Sequence, residues 1–109
     1  MKSSHWRRAM FAGAALAAAS ASSATAARTY PIVVKAMAFA PAPAGLRVGD
    51  AIEWVNADIF LHSATSKAGG FDVTLKPGAH VRMTLTRPGA YGYICRYHPG
   101  MNGRLSVAK

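Results

Sequence analysis

From residue 28 onward, apolar and polar positions alternate with period two in several short stretches. Residues 80–86 show it most cleanly. Val81, Met83 and Leu85 fall on one side, and His80, Arg82, Thr84 and Thr86 on the other, as in a strand with one buried and one wet face. Residues 51–56 repeat the pattern, with Ile52 and Trp54 opposite Glu53. Tyr91, Tyr93 and Cys95 share a face on a later strand, and Leu105 and Val107 point inward on the one that closes the chain at 103–107. Further extended segments are predicted at 30–39 (Ile32, Val33 and Val34, ended by Pro41 and Pro43), 46–48, 61–66 and 71–75. Gly49-Asp50 turns the chain, Gly69-Gly70 breaks it, and 67–70 has room for a turn. Pro77-Gly78 and Pro88-Gly89 each predict a type II turn, because proline presets φ near −65° and glycine accepts positive φ. No helical period follows the leader. Seven or so short strands with regular turn signals predict an all-β antiparallel sandwich or small barrel.

The first 27 residues break this pattern. Lys2, Arg7 and Arg8 are basic, residues 9–19 are apolar and alanine-rich, and residues 20–27 are small, with an A-x-A site at Ala24-Thr25-Ala26. That order predicts a secretory signal peptide over 1–27, cut after Ala26 or Ala27. The apolar run is shorter than the roughly 20 residues a membrane span needs; a retained anchor or a helix is the competing reading. Arg7-Arg8 followed by apolar residues also fits a twin-arginine signal. The expectation is an exported, periplasmic domain over 28–109.

The whole chain carries +9, and loss of Lys2, Arg7 and Arg8 leaves about +6. The charges are scattered, with no run of like sign, so a nucleic-acid-binding tail is not indicated. Basicity of this kind serves solubility and steering toward acidic partners. A domain this small has a modest core. It has one cysteine and therefore no internal disulfide. A metal or an unusually good core must make up the difference.

The metal has candidate ligands. Cys95, His98 and Met101 lie three residues apart in a Pro- and Gly-containing loop after a strand. A fourth ligand must come from elsewhere. His5 lies in the leader, and His80 falls on the wet side of its strand, which leaves His62 after Ile59-Phe60-Leu61. Each residue alone has a plain reading: a buried small hydrophobe for Cys95, a structural histidine for His62, loop filler for Met101. Together, in an exported chain where a free thiol oxidises unless buried or ligated, they read as a metal set. Zinc rarely takes methionine. Two imidazoles, one thiolate and a weak axial thioether make the blue-copper pattern, whose role is electron transfer.

At these residues the chain resembles the cupredoxins, over nearly all of 28–109. Val48-Gly49-Asp50, Trp54-Val55-Asn56 and Asp58 through His62-Ser63 are similar to the family's first-ligand region. Phe71, Pro77-Gly78 and Pro88-Gly89-Ala90-Tyr91-Gly92-Tyr93 are similar to its middle, and 95–103 to its ligand loop. The Cys-x₂-His-x₂-Met spacing is similar to that of amicyanin-like members. The resemblance implies a Greek-key antiparallel β-sandwich and one type 1 copper ion, with His62, Cys95 and His98 in the plane and Met101 axial. It also implies a one-electron carrier rather than an enzyme. Periplasmic redox proteins (a cytochrome, dehydrogenase or oxidase) would dock where His98 reaches the surface, on a monomer with no membrane span and no nucleic-acid partner. Pro99, Met101, Leu61 and, unless they pack in the core, Met37 and Phe39 would form the apolar patch there, with Arg96 and Tyr97 on its rim. In such sites the exposed histidine can leave Cu(I) and take a proton, which would raise the potential as pH falls. One departure stands out. Amicyanin-like proteins often have Asn after the first histidine, tying the two ligand loops together; here Ser63 stands there. A periplasmic copper-delivery protein, a copper-oxidase domain and a sandwich-type binding module with an incidental thiol are the alternatives.

Overall fold

A computed structural model describes Gly13 and residues 26–109. The leader expected over 1–27 therefore lies almost wholly outside the described residues. Nine strands follow: β1 (Thr29–Lys35), β2 (Ala38–Phe39), β3 (Leu46–Arg47), β4 (Ala51–Asn56), β5 (His62–Ser66), β6 (Asp72–Leu75), β7 (His80–Thr84), β8 (Gly89–Ile94) and β9 (Asn102–Ala108). They form two sheets, ordered β2-β1-β4-β7 and β3-β9-β8-β5-β6. Among the described residues there is no helix long and apolar enough to cross a membrane.

The period-two pattern is realised as an all-β sandwich. Ile32, Val34, Ile52 and Trp54 from one sheet and Leu75, Tyr93, Leu105 and Val107 from the other are buried in one core. Aromatic rings fill its middle. Tyr93 meets Phe39 and Trp54 edge-on, with centroids 4.9 and 5.1 Å apart, in the geometry that aromatic pairs favour. Burial pushes the Tyr93 phenol up to about 12, so it stays protonated.

The structure departs from the sequence-based expectation in three places. The 30–39 run is not one strand. A two-residue turn at Ala36-Met37 folds β2 back on β1, pairing Val34 with Phe39 and Lys35 with Ala38. Both turn residues have positive φ (52° and 61°), the type I′ hairpin conformation that usually takes Asn or Gly. Secondly, most of the ladder is antiparallel, but β1 pairs β4 in parallel and so does β3 with β9. The third concerns the Pro-Gly pairs. Lys76–Ala79 is the expected type II turn, with the Ala79 N–H donating to the Lys76 carbonyl and Gly78 at φ 77°. At Pro88-Gly89, Gly89 has φ 139° and already pairs with Val107 as the first residue of β8. There the Tyr91 hydroxyl donates to the Arg87 carbonyl at 2.8 Å and holds the corner in place of a turn bond.

The topology brings strand ends together at one pole. His62 opens β5, Cys95 follows β8 and Met101 precedes β9. Because β5 pairs β8 and β8 pairs β9, all antiparallel, these three residues start from adjacent positions.

Candidate metal centre

Two loops build the site, and each is fixed by its own hydrogen bonds. Residues 57–61, which lead into His62, hang from Asn56. Its buried side chain donates to the carbonyls of Phe60 and Leu75, both at 2.8 Å, and accepts the Asp58 N–H at 2.9 Å. The 95–101 loop closes on itself. The Cys95 N–H donates to the Met101 carbonyl at 3.2 Å, and the Met101 N–H to the His98 carbonyl at 3.3 Å. Pro99 and Gly100 (φ 90°) occupy the two centre positions of that turn, the type II requirement again.

These loops bring His62, Cys95 and His98 together. The Cys95 Sγ lies 3.7 Å from His62 Nδ1 and 3.5 Å from His98 Nδ1. All three ligand atoms lie within 4.8 Å of one another. Three ligands in a plane around one ion, at ordinary metal–sulfur and metal–nitrogen lengths, stand roughly 3.6 Å apart. The spacing therefore leaves room for one ion, and the donor set of one thiolate and two imidazoles fits a single type 1 copper ion. His62 and Cys95 are buried and His98 is half-buried. Met101 is buried against the core at the foot of the loop. His80 is set apart, exposed on β7 and paired with Glu53 at 2.8 Å.

The tautomer of His62 follows from its neighbour. Its Nε2 lies 2.8 Å from Asp58 Oδ2. An ionised carboxylate only accepts, so Nε2 carries a proton, and in the neutral ring the lone pair is then on Nδ1, beside Cys95. Asp58 also accepts the N–H groups of Ala36 and Met37, at 2.8 and 3.0 Å. The Met37 N–H first, then the His62 ring and the Ala36 N–H, outweigh burial and hold its carboxyl below the usual carboxylate range. One side chain thus fixes a ring and caps the strained hairpin turn.

Sequence reasoning gave neither Asp58 nor Asn56 a role, although both left a signal. Asp58 stands four residues before the candidate ligand. Asn56 is the polar residue on the inward face of β4, in line with Ile52 and Trp54.

Ser63 supplies the tie between loops that its place requires. Its hydroxyl oxygen accepts the Arg96 N–H at 2.9 Å, and its own N–H points at Cys95 Sγ at 3.4 Å. The surface patch differs from the one expected. Met101 is buried, and Phe39 packs against Trp54 and Tyr93. The exposed apolar residues at this pole are Met37, Leu61, Tyr97, Phe60 and Ile59, the last 84% exposed, with Pro99. Phe60 meets the His98 ring edge-on, with centroids 6.1 Å apart.

Comparison with known proteins agrees with this geometry. The cupredoxin-like domain family matches residues 8–107. Amicyanin-alpha of Methylorubrum extorquens is 32% identical over 83 residues, covering 70% of this chain and 69% of that protein. Amicyanin of Paracoccus denitrificans is 29% identical over 68 residues, covering 57% of this chain. That match spans about half (52%) of the Paracoccus protein's length. A copper(I) structure of an amicyanin variant superposes with a TM-score of 0.64 over 72% of this chain and 81% of its own, at 22% identity, a likeness of fold. A copper-containing nitrite reductase from Thermus scotoductus gives a TM-score of 0.65 at 31% identity over 72% of this chain, but only 22% of the reductase. With the family match running nearly end to end and two sheets carrying a His-Cys-His cluster at one pole, the chain belongs to the cupredoxin-like family.

Proposed function

We propose that this protein is a one-electron carrier, holding one copper ion through His62, Cys95 and His98 with the Met101 thioether as a weak fourth ligand. The observation that carries the reading is the convergence of one thiol and two imidazoles, at 3.5 and 3.7 Å, below an exposed apolar patch. Bound copper would supply Cu(I)/Cu(II) cycling. The chain's own residues do the rest. Cys95 binds as the thiolate. Asp58 keeps the His62 lone pair aimed inward. The two loop closures hold the donors in one arrangement, so little has to move between oxidation states.

His98 is the ligand nearest solvent, and Phe60, Leu61, Pro99 and Tyr97 surround it with apolar surface suited to a redox partner. The partner would be a cytochrome, dehydrogenase or oxidase that meets the chain in the periplasm after the leader is cut at Ala26 or Ala27. Charge supports an acidic partner: among the described residues, Arg96 is the one Lys or Arg held in an ion pair.

The test is addition of Cu(II) to the purified protein. An intense visible thiolate-to-copper band, lost in Cys95→Ala and altered in Met101→Gln, is the expected result. A colourless protein, or colour indifferent to Cys95, would sink the reading. Copper that leaves readily for an acceptor protein while passing no electrons would favour the delivery alternative.

A further inference from the structure

The hydrogen bond from Arg96 to Ser63 does not end there. The Ser63 hydroxyl lies 2.9 Å from Thr65 Oγ1, and Thr65 Oγ1 lies 2.9 Å from Asp72 Oδ1. The other oxygen of Asp72 lies 3.1 Å from Arg96 Nη1. The path leaves Arg96 through its backbone and returns to it through its side chain. Proton counting allows one arrangement. The Asp72 carboxylate accepts only, so Thr65 donates to it; Thr65 has one proton, so Ser63 donates to Thr65; Ser63 is then free to accept the Arg96 N–H. Every member is satisfied, the condition under which a polar network rigidifies its surroundings.

We propose that Thr65 and Asp72, which lie outside the ligand set, are positioning residues of the metal centre. With Ser63 and Arg96 they close a ring that clamps the Cys95–Met101 loop onto β5. The clamp acts at Arg96, the residue directly after the thiolate, and at Ser63, whose N–H faces the sulfur at 3.4 Å and which follows the ligand His62. Thr65 and Asp72 are cross-strand partners in β5 and β6, so the sheet itself fixes their distance. The Asp72–Arg96 ion pair is about half exposed on both sides (49% and 44%). A pair like that contributes little alone. Its function here is to terminate a chain of hydroxyls with a charge, which polarises each bond back toward the loop.

This inference rests on the copper-carrier reading for its consequence, but the clamp itself can be tested without metal. In the metal-free protein, amide exchange at Arg96 is followed by NMR against the core amides of Ile32 and Leu105. Thr65→Val and Asp72→Ala are expected to speed exchange at Arg96 about tenfold, with the core amides unchanged. Thr65→Ser, which keeps the hydroxyl, restores the slow rate. In the Cu(II)-loaded protein, Thr65→Val is expected to shift the thiolate-to-copper band and the copper–sulfur vibrations, and Thr65→Ser to leave both as in the wild type. Unchanged Arg96 exchange in both Thr65→Val and Asp72→Ala would overturn the clamp. A clamp that loosens while the spectra stay superimposable would overturn its role at the metal. Should Thr65→Val lose core protection as well, Asp72→Ala, at an exposed edge-strand position, decides alone. Failure of the wild type to take up copper would count against the electron-carrier reading, and the metal-free exchange would still decide the clamp.

Discussion

Some single residues in this fold have almost no freedom to change. Gly103 is one. A Cβ there would fall inside the van der Waals envelope of the Tyr93 ring, at Cζ, Cε2 and the hydroxyl oxygen. Tyr93 is fully buried and wedged between Phe39 and Trp54, so it has nowhere to retreat. Forcing extra atoms into a packed core typically costs about 1–3 kcal/mol, and Gly103→Ala is expected to lose at least about 2 kcal/mol on that scale, read as a lower urea midpoint with an unchanged slope. Asp50 is a second case. It accepts the N–H groups of Arg28 and Arg47 at 2.9 and 3.0 Å, and those two bonds, Arg28 first, hold its carboxyl below the ordinary 3.8. A carboxylate depressed by folding stabilises above its unfolded pKa, and that stability is lost as pH falls through the folded value. Acid titration of the unfolding free energy is therefore expected to show a level plateau near neutrality and a fall below about pH 4, near the unfolded carboxylate value. Asp50→Asn should be less stable at pH 7 and show a shallower acid limb. An identical limb in the variant would remove Asp50 from the account.

At the scale of elements, the Ala36-Met37 hairpin turn makes the sharpest prediction. Non-glycine residues in the left-handed region carry a strain of about 1–2 kcal/mol each, and Ala36 is exposed and carries only a methyl group, so little packing is lost with it. Glycine relieves the strain and costs roughly 0.5–1 kcal/mol of added freedom in the unfolded chain. Ala36→Gly is therefore expected to raise stability, by a few tenths to about 1 kcal/mol; a lower urea midpoint would mean that Asp58 already relieves the turn. This element also marks the limit of what the sequence discloses. The strands at 51–56 and 80–84 were legible because period two is a local property that each strand carries by itself. The Cys95–His98 pair, which the structure brings together with His62, was legible because its spacing is local too, as was the Pro- and Gly-containing loop that carries it. The break at Ala36-Met37 was not, because the group that permits it, the Asp58 carboxylate, lies more than twenty residues away. The parallel pairing of β1 with β4 escaped likewise, since alternation records which face is buried and not which way a neighbour runs. Gly89 escaped because a Pro-Gly pair signals a type II turn wherever it occurs, and only pairing with Val107 puts it in a strand.

For the whole molecule, the distribution of charge follows from what its few carboxylates are doing. Asp50 is taken up by two backbone N–H groups, Asp58 by two more and the His62 ring, Glu53 by His80, and Asp72 by Thr65 and Arg96. Three of the four thus bind backbone N–H groups or histidine rings, and among the described residues only Asp72 pairs with a lysine or arginine side chain. Lys35 ends β1 and Lys76 directly follows β6, whose Leu75 pairs with His62, and neither is held in an ion pair among the described residues. A surface of one sign around a docking site accelerates encounter with partners of the other sign, and salt removes the advantage, since the Debye length is about 10 Å at 0.1 M. The prediction uses small reagents, so that no particular partner is assumed. Stopped-flow reduction of the Cu(II)-loaded protein by a strongly reducing anionic complex such as iron(II)–EDTA is expected to slow several-fold between about 10 mM and 0.5 M salt. Reduction by cationic hexaammineruthenium(II) is expected to speed up over the same range. Opposite slopes are the required result, because a general effect of salt on the protein would move both reagents the same way. If the two slopes share a sign, the excess charge does not govern approach to His98, and the case for an acidic partner falls while the copper site itself stands.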